Sequence, residues 1–365
     1  MGQLGGVGGV GGVGGVGGVG GVGGVGGVGG VGGFTGIGAF LGAEDTGAFG
    51  GATTTGLMTT AEGLAHLAGA GPAPQGTPLA FDDAQNHARW ATWVRGSLYL
   101  SEFLSKVSHS TDPAAKSVTV SMGGNAMVTL VRPADDVLAA QCAYVRDYAD
   151  LRADRAAEIT SQLGFPTEYF AMILGMHLGQ HKNTIELITA TQVVSAHVAM
   201  IVKHALAVRR PDQLDGRILP MIPTPGHGSF PSAHATEAYA VLTLMEGLAT
   251  QWDGFADLAP RLAMLRGLAE RIAVNRTVAG VHYPIDSWAG AALGTAIGKS
   301  VLNLCGATAD IPVMTYTADN SDFNDHDFVH DAAAHGLTQA SSFAIARGNS
   351  FGWIWDRAIT DTQKV

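Results

Sequence analysis

The chain has 365 residues, of which 46% are hydrophobic and 14% are charged, and its formal net charge is -10. An acidic chain repels nucleic acid at long range, so nucleic acid is excluded as an expected partner, although a local basic pocket would still attract a small anion. Its two cysteines, Cys142 and Cys305, form no CxxC pair or disulfide framework, and we expect buried, reduced thiols.

The N-terminal 80 residues are dominated by glycine. Gly5 to Gly33 repeat the triplet GGV without proline, and the stretch that follows stays rich in Gly, Ala and Thr. Such a segment has a high backbone entropy and no amphipathic face. We therefore predict that residues 1–80 are a low-complexity, largely disordered tail and linker, with self-association into a homo-oligomer as the alternative role.

Amphipathic periodicity then predicts helices. Apolar residues recur at three- and four-residue spacing from about residue 82, and strand-like alternation is not convincing. The strongest helices are predicted at Asn183 to Arg210, Ala233 to Thr250, Leu258 to Ala279 and Pro284 to Cys305. The sequence thus predicts an all-α domain over residues 81–306.

The most apolar of these helices carries Glu186, His197 and Lys203. Charged and titratable side chains suit a core helix better than a lipid-facing one, so we expect no transmembrane segment. The N-terminus lacks the pattern of a secretion signal. We therefore expect a soluble, cytoplasmic protein, with export as the alternative.

Residues 307–365 are predicted to be a polar C-terminal extension. This segment contains acidic and histidine side chains that could ligate a metal: Asp322, Asp325, His326, Asp327, His330 and His335. Their spacing matches neither an EF-hand loop nor a zinc signature. A solvated acidic segment is the preferred interpretation.

The first of three polar clusters contains two positively charged residues. Lys203 and Arg210 are seven residues apart, nearly two helical turns, so on a continuous helix both lie on one face. Pro211 is expected to end that helix. Taken alone, the pair could be an ordinary solvated face.

The second cluster reads Pro231-Ser232-Ala233-His234. Ser232 is a good N-cap, which predicts that a helix begins at Ala233. Free backbone N–H groups and the helix dipole would make an anion site at that end, with His234 beside the anion. The alternative is a capped helix with an exposed histidine.

The third cluster contains Arg276, His282 and Asp286. Pro284 suits the first turn of a helix, so Asp286 lies in that turn and can accept a hydrogen bond from His282. Such a bond fixes the tautomer and leaves the other ring nitrogen free as a nucleophile or metal ligand.

Together the clusters resemble the signature of the superfamily of type 2 phosphatidic acid phosphatases (PAP2) and vanadium-dependent haloperoxidases. That signature reads K-x6-RP, PSGH and SR-x5-H-x3-D, and every internal spacing matches here. Two positions depart from it, since Ala233 stands for the glycine and Asn275 for the serine. The resemblance implies a helical bundle of the PAP2/haloperoxidase type.

The resemblance also implies roles for the matched residues. Phosphate or vanadate would be bound by a set of five residues: Lys203, Arg210, Ser232, Ala233 and Arg276. In a phosphatase, His282 would form a phosphohistidine, with His234 as general acid and base and Asp286 as its orienting carboxylate. In a haloperoxidase, His282 would instead be the vanadium ligand.

This set of anion-binding residues suits either chemistry, because phosphate and vanadate have the same shape. His227, seven positions before His234, favours haloperoxidase because bromide-oxidising members carry a histidine there, near the halide. Met200 stands where many haloperoxidases carry tryptophan, and the chain is short for them. We therefore expect a soluble phosphomonoester hydrolase, like the acid phosphatases, that needs no cofactor and acts on a small phosphate ester.

Two alternatives stay open. The first is a haloperoxidase that binds vanadate and uses halide and hydrogen peroxide. The second, from a different class, is a non-catalytic assembly protein built on the GGV tail. It would lose its oligomeric state when Gly5 to Gly33 are deleted, and would be insensitive to substitution of His282.

Overall fold

The computed structural model describes residues 51–67, 79–252 and 254–361. The GGV repeat lies outside the described residues, so the prediction of a disordered tail is not addressed there. Within the predicted tail and linker, Gly51–Ala65 forms a helix, α1, whose described side chains are exposed to solvent.

The described residues form helices and strands in mixed order. Along the chain these are α1, then α2 (Thr92–Leu104), β1 (Val107–Asp112), β2 (Ser117–Met122), β3 (Asn125–Val131), α3 (Asp135–Asp147), α4 (Arg152–Ser161), α5 (Thr167–Ile173), α6 (Lys182–Leu206), α7 (Ala233–Ala249), α8 (Leu258–Val278), α9 (Pro284–Cys305), β4 (Ile311–Tyr316), α10 (Asp325–His330), β5 (Leu337–Phe343) and α11 (Asn349–Asp361). Single 3₁₀ turns lie at Ala84–Arg89, Tyr148–Leu151, Pro211–Gln213 and Ala332–His335.

The predicted all-α fold is wrong, because the described residues include a five-stranded sheet. Its strand order is β1-β2-β3-β4-β5, antiparallel except for the parallel pair of β3 and β4. β2 does alternate, since Val118, Val120 and Met122 are buried. The strands are only six or seven residues long and rich in Ser and Thr, so the longer helical patterns on either side concealed them.

Two almost fully buried helices, α7 and α9, form the centre of the molecule. α9 places Gly290, Gly294 and Gly298 four residues apart on the face that meets α7. A Cβ on Gly294 would lie 2.3 Å from the carbonyl oxygen of Thr236, so only glycine allows this close approach. The glycines therefore bring together the N-terminal ends of α7 and α9, where the second and third polar clusters lie.

The predicted bounds of the core helices are close to those observed. α7 begins at Ala233, α8 runs from Leu258 to Val278, and α9 runs from Pro284 to Cys305. One prediction is wrong: the helix expected to reach Arg210 ends at Leu206, because Ala207 adopts a left-handed conformation with φ = 48°. Arg210 therefore lies on an extended segment rather than on the helical face that carries Lys203.

The C-terminal segment packs onto the same core. β4 lies beside β3, and α11 contacts α6. The Asp361 carboxylate at the end of α11 accepts hydrogen bonds from the backbone N–H of Thr184 at 2.9 Å and from Asn183 Nδ2 at 2.8 Å. The last residue of the described chain thus caps the N-terminus of α6.

Among the described residues, one segment, Lys182–Gln213, contains a helix long and apolar enough to cross a membrane, judged by length and composition only. Of its most apolar 18-residue window, 67% is buried inside the fold, and the core helix of a soluble protein passes the same test. The predicted absence of a transmembrane segment is therefore not supported, and neither is a soluble, cytoplasmic location.

Candidate active site

His282 and Asp286 form a buried pair at the start of α9. Asp286 is the third residue of the helix, and its Oδ2 accepts hydrogen bonds from His282 Nδ1 at 2.7 Å and from the backbone N–H of Tyr283 at 3.0 Å. The hydroxyl of Ser229 donates to the same oxygen. Because Nδ1 carries the proton, His282 Nε2 keeps its lone pair.

Arg210 contacts that lone pair, with its Nη1 2.9 Å from His282 Nε2. Burial, together with the charges of Arg210 and Lys203, holds the pKa of His282 well below its usual value. Burial raises the pKa of Asp286 to about 6, against the opposing effect of the Ser229 hydrogen bond. His282 is thus held as a neutral imidazole, the form that can act as a nucleophile.

Arg210 and Lys203 are held by neutral groups. Arg210 donates to the carbonyl oxygens of His227 and Val281 at 3.1 and 2.6 Å, and its Nη2 lies 3.1 Å from His227 Nδ1. Lys203 Nζ donates to the carbonyl oxygens of Gly228 and Ser229 at 3.0 and 2.7 Å. Both cations are about 1% exposed.

His234 and Arg276 share a partner on another helix. His234 Nε2 lies 2.9 Å from the backbone carbonyl oxygen of Gln162, and Arg276 Nη2 donates to the Gln162 side-chain oxygen at 3.1 Å. A carbonyl only accepts, so His234 Nε2 carries the proton and Nδ1 is the nitrogen left to exchange one. Burial and the charge of Arg276 hold the pKa of His234 well below its usual value.

The N-terminus of α7 completes the arrangement. Ser232 caps the helix as predicted, its Oγ accepting from the Ala235 N–H at 3.3 Å. The Ser232 N–H donates to the backbone oxygen of Asp286 at 2.8 Å, which ties the starts of α7 and α9 together.

Most of these side chains line one cavity of about 50 Å³. This is room for a few water molecules, and hence for a small tetrahedral anion. Both polar and apolar side chains line the cavity; the lining residues are Leu163, Arg210, Ile222, Pro223, Pro225, His227, Ala233, His234, Arg276, Val281 and His282. Lys203, Ser232 and Asp286 lie behind this lining.

Several site residues were not identified from the sequence. Ser229 donates to the Asp286 carboxylate, and Gln162 contacts both His234 and Arg276. Ser229 lies two residues before the PSAH motif, so its proximity is the one available signal. Gln162 lies in α4, more than 70 residues before His234, and nothing in the local sequence marks it.

In the segment after residue 307, as elsewhere in the described part of the chain, no group of three or more His, Cys, Asp or Glu side chains is placed to hold a metal ion. The acidic residues of this segment bond to the core instead. Asp322 accepts from the Tyr148 hydroxyl and Asp325 from the Tyr239 hydroxyl, at 2.9 and 2.8 Å.

Comparison with known proteins finds a family model that matches part of the chain. Residues 184–307 match the model of the PAP2 superfamily, a range that contains all three polar clusters. Gln162 and the whole of α4 precede this PAP2 segment.

The PAP2 segment also has curated relatives. Two are decaprenylphosphoryl-5-phosphoribose phosphatases of Mycobacterium tuberculosis, from strains CDC 1551 / Oshkosh and ATCC 25618 / H37Rv. Each is 35% identical over 116 residues, which is 32% of this chain and 58% of the relative. The chain thus spans little more than half the length of these relatives.

Among solved structures, a transmembrane PAP2-type phosphatidylglycerolphosphate phosphatase from Bacillus subtilis is similar in part. The sequence identity is 20% and the TM-score is 0.35, over 45% of this chain and 84% of that one.

Proposed function

We propose that this chain is a phosphatase that hydrolyses phosphomonoesters through a phosphohistidine on His282. One observation carries the proposal: Arg210 and Arg276 are buried at one cavity, Lys203 is buried behind its lining, and among the described residues none of the three forms an ion pair. Buried charges require a counter-ion, and here a bound phosphate supplies it. Relatives named as phosphatases support the same reaction.

In the first step, Arg210 donates to the bound phosphate instead of to His282 Nε2, and the freed lone pair of Nε2 attacks phosphorus and forms a P–N bond. The bond to the leaving oxygen breaks, and its electron pair stays on that oxygen, which takes a proton from His234 Nδ1. A bound phosphate dianion favours the doubly protonated form of His234 needed here. Arg210 and Arg276 stabilise the charge on the non-bridging oxygens.

In the second step, water hydrolyses the phosphohistidine. His234 Nδ1 accepts a proton from the water, whose oxygen attacks phosphorus. The P–N bond breaks, and its electron pair returns to His282 Nε2. Asp286 holds the imidazole in one tautomer throughout through the 2.7 Å hydrogen bond to Nδ1.

The apolar lining of the cavity indicates the kind of leaving group. Leu163, Ile222 and Pro223 line the cavity together with the cations, and Leu163 is 44% exposed at the surface. We infer an ester whose leaving group has apolar atoms close to the phosphate.

The test is phosphate release by the full-length protein from an alkyl phosphate, with His282→Ala as the inactive variant. We expect wild-type turnover that inorganic vanadate inhibits, a loss of at least about a thousandfold in His282→Ala, and an acid-labile phosphoprotein in wild type after rapid quenching. Turnover that survives in His282→Ala would contradict the proposal.

A haloperoxidase is the second candidate, and His227 favours it because it lines the cavity beside Arg210. Arg210, Arg276 and His282 Nε2 would hold vanadate at this cavity, and the bound group would supply activation of peroxide for halide oxidation. Bromination of a dye after loading with vanadate, lost in His282→Ala, with no turnover of phosphate esters, would favour this candidate over the phosphatase.

A further inference from the structure

The C-terminal end of α4 contacts the candidate active site from outside the PAP2 segment. Gln162, the C-cap residue of α4, is fully buried. Its backbone oxygen lies 2.9 Å from His234 Nε2 and 3.4 Å from Arg276 Nη1, and its side-chain oxygen accepts from Arg276 Nη2 at 3.1 Å. One residue therefore holds both the general acid and a phosphate-binding cation.

A carboxylate lies one helical turn before this residue. Glu158 accepts hydrogen bonds from Gln162 Nε2 at 3.1 Å and from Asn275 Nδ2 at 2.9 Å. Its charge is matched by Arg271, whose Nε donates to Oε1 at 2.8 Å and whose Nη2 donates to Oε2 at 2.6 Å. The Glu158 carboxylate is therefore paired with Arg271 and not with Arg276, and Gln162 lies between Glu158 and Arg276.

Among the described residues, Arg276 donates hydrogen bonds only to neutral acceptors. Its guanidinium donates to the two oxygens of Gln162 and to the carbonyl of Ile159 at 3.4 Å, and its Nε has no hydrogen-bond partner among the described residues. A glutamate at position 162 would be almost the same shape but would pair with Arg276. The amide keeps the guanidinium in place and leaves its charge uncompensated.

We propose that Gln162 is a positioning residue, a neutral spacer that orients His234 and Arg276 toward a bound phosphate and keeps the Glu158 carboxylate from neutralising Arg276. The inference rests on the proposed function, because it requires the anion site. The carbonyl end of α4 adds partial negative charge beside His234, which favours the protonated imidazole needed for the first step.

The test moves the carboxylate by one turn without altering the net charge. The double variant Glu158→Gln, Gln162→Glu, which has the net charge of wild type, is compared with wild type and with Glu158→Gln alone, each as the full-length protein. We expect the double variant to bind inorganic phosphate at least about tenfold more weakly in calorimetry, because Arg276 is then paired. Thermal unfolding of both variants checks that they are folded.

A matched control adds the same charge elsewhere. Gln180 is exposed, and Gln180→Glu is expected to change phosphate affinity less than twofold. If the double variant does not fold, Gln162→Leu removes the acceptor without adding charge, and weaker phosphate affinity, with a shifted pH profile of kcat/KM, is expected.

Three results would overturn the inference or separate it from the proposed function. Equal phosphate affinity in the double variant and in Glu158→Gln would overturn it. Wild-type protein that binds neither phosphate nor vanadate would overturn the anion site and this inference together. Phosphate binding without ester hydrolysis would overturn the phosphatase alone, and the comparison of affinities would still decide the role of Gln162.

Discussion

At the residue scale, the site combines buried charges that face neutral partners. Oδ2 of Asp286 takes three donors, whereas the three cations donate to carbonyls, an amide and imidazoles. Charges arranged in this way stabilise the fold less than ion pairs would, and they leave strong donors for a ligand. Burying these charges without ion pairs costs folding free energy, and such costs are typical of binding sites.

His227 provides a test of this electrostatic arrangement. Burial, followed by the charges of Lys203 and Arg210, lowers its pKa from 6.5 to about 3. When a group has a lower pKa in the folded than in the unfolded protein, its contribution to stability is fully present at a pH above its unfolded-state pKa. This contribution is lost as the pH falls toward the folded-state pKa. For His227 the loss begins near pH 6.5 and continues toward pH 3.

We therefore expect His227→Asn to be less stable than wild type at pH 7.5, and the gap to narrow at pH 5. The narrowing should be about 1 kcal/mol, allowing for solvent screening of a partly exposed side chain. Urea unfolding of both proteins at the two pH values measures it. A gap that stays constant or widens on acidification would show that His227 is not held neutral by its surroundings.

At the element scale, the contact between α7 and α9 decides the geometry of the site. Ser232 and His234 begin one helix, and His282 and Asp286 begin the other. The α9 glycines let the two backbones touch, and a Cβ on Gly290 would lie 2.7 Å from the Ser232 carbonyl oxygen. Any separation of these helices moves Ser232 and His234 away from His282 and Asp286.

Gly294→Ala tests this contact. Its added methyl group would meet the Thr236 carbonyl oxygen at 2.3 Å, so we expect a loss of about 1–3 kcal/mol in the free energy of unfolding, together with reduced kcat/KM. The matched control is Gly267→Ala in α8, where nothing lies within 4 Å of the added Cβ.

The control substitution should stabilise the protein by about 0.5–1 kcal/mol, because alanine is the better helix former. Chemical denaturation gives both values. Equal effects of the two substitutions would mean that α7 and α9 do not depend on close backbone contact.

At the scale of the whole molecule, elements from both sides of the PAP2 segment complete the core. Phe351 of α11 is fully buried, with its ring 5.6 Å from that of Tyr99 and 6.4 Å from that of Phe103, both in α2. Asp361 caps α6 from the far end of α11. The regions before and after the PAP2 segment therefore share one core with it.

Phe351→Ala is expected to lower the stability of the whole described fold by about 3–5 kcal/mol, in a single cooperative transition. The same substitution at Phe81, which is 100% exposed, should change stability by less than about 0.5 kcal/mol. Differential scanning calorimetry distinguishes the two. A separate early transition in Phe351→Ala would show that α2 and α11 form a unit independent of the PAP2 segment.

The local geometry of the second and third clusters could be predicted from the sequence, whereas the predicted placement of Arg210 on the helical face of Lys203 was wrong. Helix starts at Ala233 and Pro284 follow from a serine cap and a proline, and the His282–Asp286 pair needs only the first turn of α9. The family signature adds which groups should meet. These relations span a few residues, so a one-dimensional pattern contains them.

Tertiary structure alone decided the rest. The sheet brings β3 beside β4, nearly 200 residues away in sequence, and short strands have too few residues for their alternation to outweigh neighbouring helical patterns. Gln162 reaches His234 because α4 packs against α8, and Arg210 faces His282 because the chain leaves the helix at Ala207. Local sequence determined which side chains begin the helices, whereas packing between distant segments determined what those side chains touch.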